Sequence, residues 1–273
     1  MRNKTLITSL LLAFSLSASA QTYQQHVEHG IALLKQDSLL QAESVFRAAI
    51  QSEPTAQSNA LLYNYIGQIQ EKTNRNQDAL NNYARGIEML PHSEELLLNR
   101  ASLYLRLDNT DRALTDYNTL LADNPNQAEA LFFRAYIYTG KRMNRQARAD
   151  YEQLLKLNPL HEKALLGLAL LNDKDNRPRE AMEQIDNLIA FFPSNALYYT
   201  VRGGMFQQRR MYEKAILDFN HAVELDPSNP EHLISRASCY REMKKRKLAQ
   251  ADLRKAQELG GDPVVIAEML KNR

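Results

Sequence analysis

The chain has no tryptophan and one cysteine, Cys239. A single thiol allows no internal disulfide, so stability has to come from packing. Glycine and proline number only nine each, which leaves little for flexible linkers, and no glycine-rich loop is present to cradle a phosphate. No serine or cysteine stands in motif with a base, and no carboxylate pair is set out for acid–base work. His26 and His29 lie three apart, but no third ligand accompanies them, so no metal site or cofactor is expected. These absences leave little room for an enzyme.

Long apolar runs are also missing. Leu6 to Phe14 is the one candidate, and it is far shorter than the roughly 20 residues that span a bilayer. It follows Arg2 and Lys4 and precedes Ala18-Ser19-Ala20, which is the layout of a cleavable signal peptide over residues 1–20. Cleavage is expected before Gln21. No cysteine lies there to accept a lipid, so a periplasmic or secreted address is expected, with no integral membrane span after cleavage. The leader holds two basic residues and no acid, so the remainder carries 32 basic and 32 acidic side chains. That balance gives no case for nucleic-acid binding.

What the chain does have is a period. Ala42, Ala79, Ala113, Ala147, Ala181, Ala215 and Ala249 are spaced by 37 residues and then five times by 34. Twelve residues before each alanine stands a small residue: Gly30, Gly67, Ala101, Ala135, Ala169, Gly203 and Ala237. Four residues after it stands a large one: Phe46, Tyr83, Tyr117, Tyr151, Ile185, Phe219 and Leu253. Prolines 54, 91, 125, 159, 193 and 227 close the units. A fixed period of this size marks stacked helical hairpins, each covering the apolar face of the next. The small residue of helix A is expected to meet the alanine of helix B, and the large residue to reach the neighbouring unit. The extra residues from Thr55 to Asn59 are expected to form the one loose junction.

These columns resemble the tetratricopeptide repeat (TPR) family over roughly residues 23–262, the small residue falling at position 8, the alanine at 20, the aromatic at 24 and the proline at 32. Where the family has an early tryptophan, this chain has Tyr63, Leu97, Leu131, Leu165, Tyr199 and Leu233, with His26 in the first unit. The resemblance implies an all-α fold, a right-handed superhelical α-solenoid of about seven units. These run over 23–56, 60–93, 94–127, 128–161, 162–195, 196–229 and 230–262, within one array spanning 21–262. Residues 263–273 should form a C-terminal capping helix, with Asp262 as its cap and Pro263 in its first turn.

Two columns vary together. Position 7 is Arg100, Arg134, Arg202 and Arg236 in the units whose position 23 is Asp116, Asp150, Asp218 and Asp252. Pairing within each unit satisfies all four arginines, so structural salt bridges joining helix A to helix B are expected.

The family resemblance also implies that A helices line a concave groove. The residues it places there are Asn64, Tyr65, Gln68, Asn99 and Ser102, then Phe132, Phe133, Tyr136, Leu166 and Leu170, then Thr200, Gly204, Ser235 and Ser238. Central aromatics flanked by amides suit an extended peptide or a partner helix. The lysine set with which some TPR proteins grip a C-terminal carboxylate is not matched. Basic turns, Lys141, Arg142 and Arg145, Arg209 and Arg210, and Lys244 to Lys247, offer a weak anionic-surface contact or simply a solvated edge. The resulting expectation is a non-catalytic protein-binding adaptor or scaffold of the bacterial cell envelope, with a glycan- or small-ligand-binding protein as the alternative.

Overall fold

The computed structural model describes residues 21–271, and the expected leader lies outside them. Among the described residues every regular element is a helix. The order is α1 (21–35), α2 (Leu39–Ser52), α3 (Asn59–Lys72), α4 (Asn76–Met89), α5 (Glu94–Arg106), α6 (Thr110–Asp123) and α7 (Ala128–Gly140). It continues with α8 (Asn144–Leu157), α9 (Glu162–Lys174), α10 (Pro178–Phe191), α11 (Ala196–Gln208), α12 (Tyr212–Leu225), α13 (Pro230–Glu242), α14 (Arg246–Glu258) and α15 (Pro263–Lys271). Odd-numbered helices up to α13 are the A helices and even-numbered ones the B helices. Contacts gather in two units, one ending at Ile137 and one starting at Tyr138. Each is an α-solenoid of stacked A and B helices.

The prolines end the B helices through the residue before them. Glu53, Leu90, Asn124, Asn158, Phe192 and Asp226 all have φ between −129° and −137° and ψ between 62° and 91°. A following pyrrolidine ring clashes with helical backbone at that residue and pushes it extended. The A helices end differently. Asp37, Asn74, Asp108, Arg142, Asn176, Arg210 and Lys244 have φ of 56–60°, one per repeat. The amide of the next residue bonds the carbonyl five residues back, at 2.7–2.9 Å in all seven turns. This left-handed cap reverses the chain in so few residues that helix B packs directly on helix A. The seventh B helix closes with the same device, Gly260 taking φ 81° and the Gly261 amide bonding the Ala256 carbonyl at 2.9 Å.

The seam alanines from Ala42 to Ala249 are buried. The small residue at position 8, however, makes room for the ring at position 24 of its own unit. A methyl group on Gly30 would fall 2.4 Å from Phe46, on Gly67 2.4 Å from Tyr83, and on Gly203 2.8 Å from Phe219. The ring then also meets position 6 of the following unit. Phe46 stacks on Tyr65 (5.4 Å, 19°), Tyr117 on Phe133 (5.9 Å, 14°), and Tyr151 lies against Gly167. These rings reach the neighbouring unit as expected, and Phe46 also packs on helix A of its own unit, so that it joins α1, α2 and α3. A buried ring or aliphatic side chain of this size contributes about 1.5–3 kcal/mol.

The junction after α2 is not loose. The Ala56 amide bonds the Glu53 carbonyl, the Asn59 amide bonds the Ala56 carbonyl, and Asn59 Nδ2 donates to the Glu53 carbonyl at 2.7 Å. Tyr23 and Ser58 share a hydrogen bond at 2.7 Å. The three added residues fold as consecutive turns tied to α1. Asp262 caps α15 as expected, its Oδ1 accepting from the amides of Val264 and Val265. Asn229 caps α13 and Pro178 opens α10.

Candidate functional site

The arginines of position 7 bind where the covariation puts them. Arg100 grips Asp116 through Nε and Nη2 (2.9 and 2.7 Å), Arg202 grips Asp218 (2.9 and 2.7 Å), and Arg236 grips Asp252 (2.8 and 2.7 Å). The fourth combination, Arg134 with Asp150, falls across the division between the two units and stays an expectation. A third helix joins in. Arg202 Nη1 donates to Asp186, Arg236 Nη1 to Asn220 and Arg134 Nη1 to Asn118, each on the preceding B helix. Burial alone would lower the Arg100 pKa, but the Asp116 carboxylate outweighs it and the value rises. Hydrogen bonding to Asp218 and Asp252 raises Arg202 and Arg236 in the same way. These guanidinium groups are used up in holding helices together.

Two of the three repeats without that ion pair, the second and the fifth, substitute an amide pair that the covariation did not reveal. Gln70 bridges Glu43 (3.0 Å) and Asn82 (2.7 Å), and Asn172 donates to Gln184 at 2.9 Å. Glu43 is buried and bonded by Arg47 and Arg75. Burial pushes its carboxyl up, yet the two arginines win and hold it below the usual carboxylate range.

Of the expected groove residues in the first unit, Asn64 is buried and accepts from Asn99 Nδ2 at 2.8 Å. It therefore fixes α5 to α3 and is not open to a partner. Tyr65 and Phe133 are half-buried in the ring stacks already described, and Phe132 packs edge-on against Phe133 at 5.2 Å. Gln68, Asn99 and Ser102 are half-buried, Gln68 reaching Glu95 at 3.4 Å. Tyr136 stands out from this face, 57% exposed, and Leu61 is 46% exposed. Position 9 thus forms a row of Gln68, Ser102 and Tyr136 on successive A helices. In the second unit Leu166 packs into the core around Ile185 and Tyr198, while Leu170 is exposed. Gly203 lies under Phe219, whereas Gly204 opens onto free space. Ser235 is half-buried, and Ser238 meets Gln207 at 2.9 Å.

The second unit also holds a cleft of about 670 Å³ that sequence reasoning missed, lined among others by Glu162, Phe192, Leu197, Leu225, Asp226 and His232. It lies at the turns that enter α11 and α13. Glu162 accepts from Asn195 Nδ2 at 3.0 Å and from the Tyr198 hydroxyl. Burial and that carboxylate raise the Tyr198 pKa. Thr200 donates to the Ala196 carbonyl at 3.0 Å and meets His232 Nδ1 at 3.0 Å. No motif announces this set, because its members come from three different repeats. Among the described residues no group of three or more histidine, cysteine or acidic side chains could hold a metal ion, and no helix is long and apolar enough to cross a membrane.

Comparison with known proteins agrees with the repeat geometry. Family models described as tetratricopeptide repeat match residues 98–143 and 140–196, and residues 196–229. A tetratricopeptide repeat protein from Parabacteroides merdae is 28% identical, with a TM-score of 0.72 over 92% of this chain and 98% of its own. YrrB, described as a TPR protein with an unusual peptide-binding site, is 20% identical (TM-score 0.53, 69% of this chain, 97% of its own). PilW, a type IV pilus biogenesis factor, is 14% identical (TM-score 0.68, 77% of this chain, 98% of its own). The last two likenesses show the fold alone. With helical hairpins on a 34-residue beat, a buried alanine seam and a proline-closed B helix, the chain belongs to the tetratricopeptide repeat family.

Proposed function

We propose that this protein is a non-catalytic interaction adaptor of the bacterial cell envelope, binding a peptide segment or partner helix on the exposed face of its A helices. The observation that carries the reading is Tyr136, an aromatic ring more than half exposed at position 9, four residues from Phe132 on α7 and in line with the amide of Gln68. A rigid ring beside amide groups supplies apolar contact at low entropy and hydrogen bonds for a peptide backbone. YrrB, a fold relative described by its peptide-binding site, is consistent with this use. The envelope address rests on Arg2, Lys4, Leu6 to Phe14 and Ala18-Ser19-Ala20. The exposed basic run from Lys244 to Lys247 would add a weak contact to an anionic surface.

The test places a photo-crosslinking residue at Tyr136 and, as control, at the exposed Gln77 on α4. A protein adduct formed only from position 136, and lost on competition with unlabelled protein, supports the reading. Equal adducts from both positions, or retention on glycans with no protein adduct, would overturn it. Amino-terminal sequencing of the fractionated protein checks the address, with Gln21 expected as the first residue.

A further inference from the structure

We infer that the cleft at the entry to α11 and α13 is a receptor for a cationic side chain, lysine or arginine, presented by a partner polypeptide. His232 is 5% exposed, and its neighbours decide which ring nitrogen carries the proton. Thr200 has one hydroxyl proton, and it is committed to the Ala196 carbonyl. Only a lone pair of that oxygen can face His232 Nδ1, so Nδ1 carries the hydrogen. Nε2 is then a bare acceptor. It has no hydrogen-bond partner among the described residues, and Asp226 Oδ2, itself an acceptor, lies 4.0 Å away. Burial lowers the His232 pKa against the opposing pull of Asp226 and Glu231, which favours the neutral ring.

Two acceptors facing each other in this way call for a donor between them, and a carboxylate calls for that donor to be positive. Glu162 adds a second carboxylate to the same wall, its other contacts being the neutral Asn195 and Tyr198. No lysine or arginine among the described residues pairs with Glu162 or Asp226. Phe192, Leu197 and Leu225 supply apolar flanks, with Leu197 and Leu225 48% and 42% exposed. A charged head carried on an aliphatic stem matches that lining. Apolar flanks that wide suit a side chain with neighbours in a chain, which favours a polypeptide over a free polyamine. The cleft lies wholly in the second unit, so this assignment does not rest on Tyr136, and either can fail without the other.

The experiment follows the His232 ring by NMR while the full chain is titrated with the acetylated, amidated peptide Ala-Leu-Arg-Leu-Ala. Parallel titrations use its citrulline counterpart and spermidine. The expected result is a shift of the His232 signals with the arginine peptide and about tenfold weaker binding of the citrulline peptide. Asp226→Asn should weaken the arginine peptide by about tenfold. This variant keeps the backbone geometry, because Asn124 and Asn158 already occupy the equivalent position in other units with the same extended φ and ψ. Equal affinity for arginine and citrulline peptides, no perturbation of His232, or unchanged binding by Asp226→Asn would overturn the assignment. Spermidine binding as tightly as the peptide would overturn the choice of a polypeptide partner.

Discussion

The seven left-handed turn residues differ in how well they suit their backbone. Asp and Asn tolerate that region because their short side chains bond locally, whereas Arg142, Arg210 and Lys244 have no such compensation. Lys244→Asn should therefore raise stability by about 0.5–1 kcal/mol, read as a higher urea midpoint with an unchanged slope. Lys245→Gln is the control for simple loss of charge in the Lys244–Lys247 run, since Lys245 has φ −85° and glutamine is not a favoured N-cap for α14; equal gains from both would assign the effect to charge. Cys239 offers a second test at this scale. It is fully buried, and burial pushes its thiol up to about 11. At pH 8 roughly one molecule in a thousand would carry the reactive thiolate. A thiol reagent should label the native protein at least about a hundredfold more slowly than a free thiol, and completely once urea is added. Fast labelling of the native state would mean that α13 opens far more often than its packing implies.

Helices are joined by ion pairs whose worth depends on burial. Arg236 and Asp252 are 18% and 11% exposed at their side chains, so removing one partner strands a charge. Asp252→Ala should cost about 3 kcal/mol, and the double variant Arg236→Met with Asp252→Leu clearly less, in a double-mutant cycle followed by urea unfolding. Arg106, 56% exposed and paired with Glu71, is the contrast: Arg106→Ala should cost no more than about 1 kcal/mol. The intra-unit pairs were legible because charge at position 7 tracks charge at position 23. Their amide replacements were equally written in the chain, four positions further along helix A. Position 11 is Tyr104, Phe206 and Tyr240 where the ion pair stands and Tyr138 where it is expected; of the three repeats without it, two carry Gln70 and Asn172 there and the first carries Leu33. The αL turns were harder to see, because arginine and lysine at three of the seven places hide a register that Asp and Asn would show. Asn64 was misread for a different reason. A groove position fixes which way a helix face points, not whether the next helix covers it, and Asn99 does cover it. The His232 cleft had no full linear signature, since Glu162 and Thr200 join Asp226 and His232 only through stacking.

In a repeat molecule stability is nearly a sum of local terms, so an end can weaken while the middle holds. The last helix, α15, is the test of that idea. It covers its neighbour sparingly: Ile266 is buried among Leu253, Ala256 and Ala249, Met269 packs beside it, yet Val264 is 72% exposed. Its capping contribution therefore falls mainly on one side chain, worth about 1.5–3 kcal/mol. Ile266→Asp should reproduce most of the effect of removing residues 262–273, while Val264→Ser should change little. Both damaging changes should lower solubility, because they uncover the apolar seam of α13 and α14. Hydrogen exchange locates the loss: amides of α13 and α14 should exchange faster by about ten- to a hundredfold, with those of α10 and α11 nearly unchanged. Equal acceleration in all four helices would show that the second unit opens as one cooperative body, and unchanged exchange in α14 would remove α15 from the role of cap.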